Sequence, residues 1–386
     1  MAKVAFVSIM WHSRFVEELG VEYLTAVLRK ETNHEVRIFY KFPEDNYNDF
    51  FQQVIGFNPD IVGISLSHKY TGLEPLYAGA SLLKEKLPEV YLCIGGIFAS
   101  TNAENIMRKI QEVDGVFLGE SENIIVDFVD KVINHQSIDA LDGVVYRCEN
   151  GTLKTIPKKN FIMDLDAIPF PARDYMEEDW FKNDPFKMVN LMGSRGCHGH
   201  CHFCNVPSMY AVYGTEHCWR GRSIANIVDE MEYLYKEHGV LIFSFNDSSF
   251  EDAMPLTEGK KRLATFANEI LKRGLRILWT CCFRAETFKN NKEDIELIEL
   301  MVKSGLYNLL IGVEAGNKRA LNNFSKRATI SDNYQSIEIF DRYPVYISKG
   351  FIMFTPQSTP SLLRDNLELN KIAARWPAKA VTQFFF

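Results

Sequence analysis

The sequence lacks any run of about 18 apolar residues, the length that a membrane-spanning helix requires. Residues 1–10 contain an apolar stretch, but it has neither the length nor the cleavage site of a secretory leader. Basic residues are not in excess, since 43 Lys and Arg face 50 Asp and Glu and the net charge is −7. A basic patch for nucleic acid is therefore not expected. These absences predict a cytoplasmic protein with neither a nucleic-acid nor a membrane partner.

Cysteine is scarce in the first half of the chain, where only Cys93 and Cys148 precede residue 190. Three of the eight cysteines instead fall between residues 197 and 204. An acidic chain without a leader is expected to keep its thiols reduced. The cluster therefore indicates a metal site rather than a disulfide framework.

The 386 residues, 46% of them hydrophobic, are enough for about two domains. Residues 1–140 alternate short apolar runs with helical patterns, which predicts a Rossmann-like, doubly wound parallel sheet. The predicted strands are Val4–Ile9, Glu35–Tyr40, Ile61–Leu66, Val90–Ile94 and Gly115–Leu118. In such a sheet, ligands bind beyond the carboxyl ends of the strands.

Residues 141–187 change character and are predicted to form a linker that contains a β-hairpin. The hairpin turn is Asn150-Gly151, which lies between two short apolar runs. From residue 188 to 386 the alternation resumes with six further strands, which predicts a partial (six-stranded) βα barrel. The chain stops at Phe386 with no final helix. Either the last strand is the true terminus or the chain is truncated.

The strongest motif is CxxxCxxC, formed by Cys197, Cys201 and Cys204 directly after an apolar strand. Thiolates are the natural ligands of iron–sulfur clusters. Three cysteines on one loop can hold three irons of a 4Fe–4S cluster, which leaves the fourth iron open to a small molecule. A zinc site is the alternative, with nitrogen ligands from the histidines of the same loop, namely His198, His200 and His202.

This motif, with the aromatic Phe203 before its last cysteine, resembles that of the radical S-adenosylmethionine (SAM) superfamily. The resemblance continues through most of residues 188–386, including Ile311-Gly312-Val313-Glu314-Ala315-Gly316. In that family the open iron is chelated by SAM, and one electron from the cluster releases a deoxyadenosyl radical that takes a hydrogen atom from substrate. The three cysteines are then the catalytic and metal-binding residues.

The same resemblance implies which residues contact SAM. Phe203 and the backbone of Asn205 would lie beside the adenine. Asn246, Arg284 and Glu314 lie at predicted strand ends on the ligand face, where barrel chemistry is usually placed.

Residues 1–140 resemble the cobalamin-binding domain found ahead of many radical SAM modules. The matching segments include Pro59–Ser65, Ile94-Gly95-Gly96 and Asp114–Glu120. Cofactor contacts are expected at the strand ends, from Ser65, Gly95, Gly96, Gly119 and Glu120. The DxHxxG pattern that supplies a cobalt-coordinating histidine in one type of cobalamin domain is absent. His68 is the candidate neighbour of cobalt instead.

The combined resemblance implies three cofactors: a 4Fe–4S cluster, SAM and cobalamin. It predicts methylation of an unactivated carbon in a small-molecule or peptide substrate, with an external electron donor of the flavodoxin or ferredoxin type. Two alternatives remain open. One is a non-methylating radical rearrangement or cyclisation, and the other is a non-catalytic zinc or corrinoid sensor. A methylthiotransferase is disfavoured because the front domain lacks a second set of cluster cysteines.

Overall fold

The computed structural model describes residues 1–9, 18–66, 69–212, 219–251, 255–374 and 380–384. The chain divides into two compact units. The first comprises Met1–Asn183 and Met209–Glu216, and the second comprises Asp184–Ser208 and His217–Phe386.

The first unit is built on a seven-stranded sheet with the order β2-β1-β3-β4-β5-β6-β7. Its strands are β1 Lys3–Ile9, β2 Glu35–Lys41, β3 Ile61–Ser65, β4 Tyr91–Gly95, β5 Gly115–Phe117, β6 Val144–Arg147 and β7 Leu153–Ile156. The strands β1 to β5 pair in parallel. The hairpin of β6 and β7, expected within a linker, adds antiparallel strands to this sheet beside β5. The expected parallel α/β fold is confirmed.

The helices of the first unit pack onto this sheet because its central strands are apolar on both faces. The helices are α1 Leu19–Glu31, α2 Tyr47–Phe57, α3 Lys69–Lys86, α4 Ile97–Lys109, α5 Ile125–Ile133 and α6 Asp179–Lys182. Their ends follow local chemistry. The side chain of Asn46 caps α2 by accepting hydrogen bonds from two backbone N–H groups, and Asn58 ends that helix in a left-handed conformation.

The second unit contains a six-stranded sheet in the order β15-β14-β13-β12-β11-β8, with every neighbouring pair parallel. Its strands are β8 Met188–Leu191, β11 Ile242–Phe245, β12 Leu278–Arg284, β13 Leu306–Glu314, β14 Tyr346–Phe351 and β15 Ala380–Phe384. The predicted six-stranded βα architecture is confirmed. A separate antiparallel pair joins β9 Ser194–Arg195 to β10 Arg220–Gly221.

The remaining α-helices of the described residues are α7 to α13. They are α7 Asn205–Val212, α8 Ile224–His238, α9 Leu256–Lys272, α10 Lys292–Lys303, α11 Lys318–Asn323, α12 Ile330–Phe340 and α13 Pro360–Ala374. Within the described ranges, no helix combines the length and the apolar character needed to cross a membrane.

The two faces of the second sheet differ in polarity. Large aromatic side chains point toward the helices, as where Phe245 on β11 and Trp279 on β12 both contact Phe266 of α9. Successive side chains alternate across a strand, so Ser244 and Thr280 face the opposite side. In a βα barrel the ligands bind at the carboxyl ends of the strands.

Candidate functional site

The three-cysteine loop begins where β8 ends, and its first residues are fixed by a buried carboxylate. Asp247, which follows β11, accepts a hydrogen bond from the backbone N–H of Gly193 at 2.9 Å. It also accepts one from the hydroxyl of Ser194. Arg262 and the backbone N–H of Arg222 both donate to the carbonyl of Gly193, at 3.2 and 2.9 Å. The root of the loop is therefore held from three separate elements.

Burial of Asp247 has an electrostatic consequence. Its side chain is 3% exposed, and burial raises its pKa to about 6, although the bonds from Ser194 and Gly193 oppose the shift. The charged form is thus stabilised mainly by the loop that it anchors.

The sulfurs of Cys197 and Cys201 converge on the same side of the loop. Both lie within 4 Å of the position that a Cβ on Gly199 would occupy, at 3.3 and 3.8 Å. The backbone N–H of Gly199 also donates to the sulfur of Cys197 at 3.2 Å. Glycine at this position therefore keeps open the space between two thiols.

The third thiol lies at the start of α7. The pKa of Cys204 is raised by burial and lowered by a hydrogen bond from the backbone N–H of Val206. Burial also raises the pKa of Cys201, whereas the nearby Lys326 lowers it. All three cysteines are half-buried, and none of them is in a disulfide. Within the described residues, no three His, Cys, Asp or Glu side chains are grouped as ligands of a single metal ion.

Glu314 ends β13 in a left-handed conformation, with φ at 58°. The pairing between β13 and β14 shifts register at this point. The Glu314 side chain folds back over Gly312, where an added Cβ would lie 2.8 Å from its Oε1 atom, and Gly350 on β14 is 3.6 Å from Oε2 by the same measure. Two adjacent glycines therefore make room for a buried carboxylate at the carboxyl end of the sheet.

Lys326 supplies the counterion of this carboxylate. Its Nζ atom lies 3.1 Å from Oε1 of Glu314, and the two side chains are only 7% and 9% exposed. Burial raises the pKa of Glu314, and Lys326 opposes that shift. The pair presents one anionic and one cationic group within the same enclosed site.

Arg284 and Asn246 lie at neighbouring strand ends but differ in environment. The backbone N–H of Arg284 donates to the fully buried Glu251 at 2.9 Å, and the Arg284 side chain lies 3.6 Å from Oε1 of Glu286. Asn246 is exposed directly after β11. An ion-pair network therefore already engages Arg284, while Asn246 is accessible to a ligand.

Phe203 is 45% exposed and contacts Phe324 edge-on, with ring centroids 5.4 Å apart. Asn205 is exposed and begins α7. The aromatic of the cysteine motif is thus a surface of the loop rather than a core side chain, which leaves its ring available to a planar ligand.

In the first unit, the predicted cofactor residues lie on adjacent strand ends. Ser65 ends β3 and pairs with Gly95, which ends β4. The hydroxyl of Ser65 donates to Glu18 at 3.0 Å. A Cβ on Gly95 would meet no atom of the described residues within 4 Å, so these residues leave the sheet edge open there.

Gly96 and Gly119 are joined by Ser100 on α4. Its hydroxyl donates to the carbonyl of Gly96 at 2.8 Å and accepts from the N–H of Gly119 at 2.9 Å. Gly96 has a φ of 100°, and a Cβ there would lie 2.7 Å from the backbone of Leu66. Gly96 is consequently required by the backbone conformation of this turn, in addition to its place at the predicted cofactor edge.

The remaining front-domain candidates are less informative. Glu120 is half-buried and has interaction partners of its own. His68 lies outside the described residues.

Sequence reasoning missed Asp247, Lys326 and Ser100. Asp247 lies two residues after the end of β11, and this position was a usable signal. Lys326 and Ser100 carry no sequence signal, because each acts on a partner that only folding brings close.

Two family models match the chain in separate regions. The model for the B12 binding domain matches residues 14–129, and that for the radical SAM superfamily matches residues 191–369. The chain therefore joins a B12 binding domain to a radical SAM domain. Its cofactors are accordingly cobalamin, SAM and a 4Fe–4S cluster.

Similar proteins are known from sequence and structure. An uncharacterized methyltransferase of Pyrococcus horikoshii is 28% identical over 88% of this chain and 70% of its own length. An anaerobic magnesium-protoporphyrin IX monomethyl ester cyclase of Rubrivivax gelatinosus is 25% identical over 97% of this chain and 66% of its own length.

Among solved structures, the cobalamin-dependent SAM radical enzyme OxsB, with aqua-cobalamin and SAM bound, matches 96% of this chain with a TM-score of 0.79 at 20% identity. This likeness shows the shared fold. The chain spans 52% of the length of OxsB and about two thirds of the two curated relatives.

Proposed function

We propose that this radical SAM chain methylates an unactivated carbon of a small-molecule or peptide substrate. The observation that carries the proposal is the joint presence of two sites in one chain. One is a loop of three cysteines outside any disulfide, beside a buried carboxylate–ammonium pair, and the other is an open strand edge in a B12-binding domain. The methyltransferase of Pyrococcus horikoshii adds support from a relative.

The residues present fit these cofactors. Cys197, Cys201 and Cys204 would hold three irons of the cluster, with the bare backbone of Gly199 leaving room between two sulfurs. When bound, the cluster with SAM supplies a radical able to take a hydrogen atom, and cobalamin supplies the methyl group. The protein itself must bind, orient and shield these groups.

Contacts to SAM are assigned to the residues at the carboxyl ends of the second sheet. Glu314 offers a buried carboxylate to a cationic group, and Arg284 helps to set the local charge. The exposed ring of Phe203 offers a stacking surface for the adenine, with the backbone of Asn205 and the side chain of Asn246 beside the same loop end.

Cobalamin contacts are assigned to the strand edge of the first unit. Gly95 leaves open space there, and Ser65 presents a hydroxyl. The other residues assigned to this site are Gly96, Gly119, Glu120 and His68. An external donor of the flavodoxin or ferredoxin type would reduce the cluster.

Replacement of each cluster cysteine tests the assignment. The protein is reconstituted anaerobically with iron, sulfide and cobalamin, and then supplied with SAM and a reductant. Cys197→Ala, Cys201→Ala and Cys204→Ala should each abolish deoxyadenosine formation and the iron–sulfur absorbance. Cys148→Ala, a free thiol in the first unit, is the matched control and should retain both. A cluster-loop variant with full cleavage activity, or bound zinc without iron and sulfide, would contradict the assignment.

A second candidate is a radical cyclisation or rearrangement without methyl transfer. The Rubrivivax gelatinosus cyclase, which matches 97% of the chain, favours it. Mass analysis of the products separates the two, because only a methylase adds a methyl group to its substrate.

A further inference from the structure

Lys326 is a buried cation whose position is set by the end of a helix. Helix α11 stops at Asn323, and Ser325 adopts a left-handed conformation with φ at 55°. The N–H of Lys326 then bonds back to the carbonyl of Leu321 at 2.9 Å. This six-to-one bond is that of a Schellman turn, which reverses the chain after a helix. The turn brings the Lys326 side chain into the site, where it is 7% exposed.

The same turn is docked directly on the cysteine loop. The backbone N–H of His202 donates to the carbonyl of Phe324 at 2.9 Å, and its ring nitrogen Nδ1 lies 3.0 Å from the carbonyl of Asn323. The rings of Phe203 and Phe324 add an edge-on contact. Movement of the cysteine loop relative to Lys326 would break these bonds, so the distance between them is fixed by the fold.

The charges around Lys326 are those of the proposed cluster site. Glu314 lies 3.1 Å away, and both Glu286 and the thiol of Cys201 interact with the lysine electrostatically. The positive charge of Lys326 and the negative charge of Glu314 therefore have opposite electrostatic effects on the cysteine loop.

We infer that Lys326 is a positioning residue whose buried positive charge raises the reduction potential of the iron–sulfur cluster, with Glu314 acting in the opposite direction. The inference rests on the proposed cluster at Cys197, Cys201 and Cys204. Reduction adds one electron from the external donor and makes the cluster more negative. A nearby cation in a low-dielectric site stabilises that reduced form more than the oxidised one.

Reductive titration of the SAM-free, reconstituted protein, followed by electron paramagnetic resonance, tests the inference. Lys326→Met should shift the midpoint potential to a more negative value, and Glu314→Gln should shift it to a more positive value. The midpoint potential of the double variant should lie between those of the two single variants, and that of Lys326→Arg should stay near the wild-type value. Lys261→Met, which removes an exposed lysine paired with Glu258 on α9, is the control and should cause no shift.

The outcomes separate this inference from the proposed function. If the wild type binds no iron and sulfide, the cluster assignment itself is wrong. If the cluster forms but Lys326→Met leaves the potential unchanged, or both single variants shift it in the same direction, Lys326 does not have this role. If Lys326→Met does not bind a cluster, its potential cannot be measured, and Glu314→Gln becomes the deciding variant. An unchanged or more negative midpoint potential in Glu314→Gln then overturns the inference.

Discussion

At the residue scale, single buried polar groups fix the backbone of the site. Asp247 satisfies two donors at the root of the cysteine loop, and Ser100 links two glycine turns in the first unit. A buried polar group left without its partner costs about 1–3 kcal/mol. Each of these contacts therefore favours one conformation of its loop, because movement of the loop would leave a buried polar group unpaired.

Asp247 predicts a pH dependence of stability. Its folded pKa, raised to about 6 by burial, exceeds the unfolded value of 3.8. The stabilisation that protonated Asp247 contributes is therefore fully present below pH 4 and is lost as the pH rises through 6. The free energy of unfolding falls by about 3 kcal/mol in total.

The Asp247→Asn variant keeps an acceptor but cannot titrate. Denaturant unfolding of the metal-free chain should show the wild type losing stability relative to this variant as the pH rises from 4 to 6. Asp229→Asn, at an exposed carboxylate, serves as the control. A difference that is constant with pH would contradict the assignment.

Substitution of Gly95 by a larger residue is expected to weaken cobalamin binding without unfolding the protein. A Cβ there meets no atom of the described residues within 4 Å, so we expect Gly95→Leu to fold normally while its side chain occupies the space proposed for the cofactor. We expect cobalamin binding to weaken by about tenfold or more, equivalent to at least about 1.4 kcal/mol.

Gel filtration with corrinoid absorbance measures the retained cofactor, and circular dichroism measures the fold. Gly96→Ala provides the contrast, since its left-handed backbone and the nearby Leu66 should make that variant unstable. Full retention of cobalamin by Gly95→Leu would remove this edge from the proposed site.

At the scale of elements, strand ends and helix ends build the charged site together. β13 ends in a left-handed residue, α11 ends in a Schellman turn, and these two irregular ends bring Glu314 and Lys326 together. Strained backbone of this kind is retained where surrounding contacts hold it in place. Here Asn333 of α12 does so, because its side-chain amide donates to the carbonyls of Val313 and Ala315 on either side of Glu314, at 2.8 and 3.0 Å.

Two glycines on neighbouring strands give a matched test of this arrangement. In Gly312→Ala the new methyl group would lie 2.8 Å from the Glu314 carboxylate and 2.9 Å from the Lys326 ammonium, so the pair must move. In Gly350→Ala the nearest carboxylate oxygen is 3.6 Å away, an ordinary contact.

We expect Gly312→Ala to reduce SAM cleavage by about 10- to 100-fold, as displacement of a positioning group commonly does. Gly350→Ala should change it little. Deoxyadenosine yield per intact cluster is the measurement. Equal effects of the two substitutions would mean that the position of the pair does not govern cleavage.

At the scale of the whole molecule, the first unit extends beyond the predicted domain. The β6–β7 hairpin covers the edge of β5, and Val144 and Val145 are each only 1% exposed. Lys158 follows this hairpin and is fully buried, with its Nζ atom 3.3 Å from Oδ2 of Asp142. The unit therefore includes residues that the sequence interpretation placed in a linker, and we expect its stability to depend on them.

Comparison of two fragments tests this dependence. Residues 1–183 should unfold cooperatively and retain cobalamin, whereas residues 1–140 should lose the cooperative transition because β5 becomes an uncovered edge. Thermal circular dichroism and cobalamin retention are the measurements. A cooperative, cobalamin-retaining 1–140 fragment would show that the hairpin is dispensable.

The sequence alone was sufficient for features that are encoded locally. Apolar runs of strand length predicted the strands of both sheets, and Asn150-Gly151 predicted the hairpin, because period and turn chemistry act over a few residues. The CxxxCxxC motif indicated the cofactor class, because its three ligands lie on one loop. The roles of the individual site residues stay predictions.

Only the tertiary structure showed how the site is held. Asp247 contacts a loop 54 residues earlier in the sequence, and Lys326 reaches Glu314 only because α11 ends in a left-handed turn. The linker hairpin likewise became part of a sheet because β5 offered an unpaired edge. Burial and electrostatic pairing depend on which distant segments pack together, and no local pattern in the sequence carries that information.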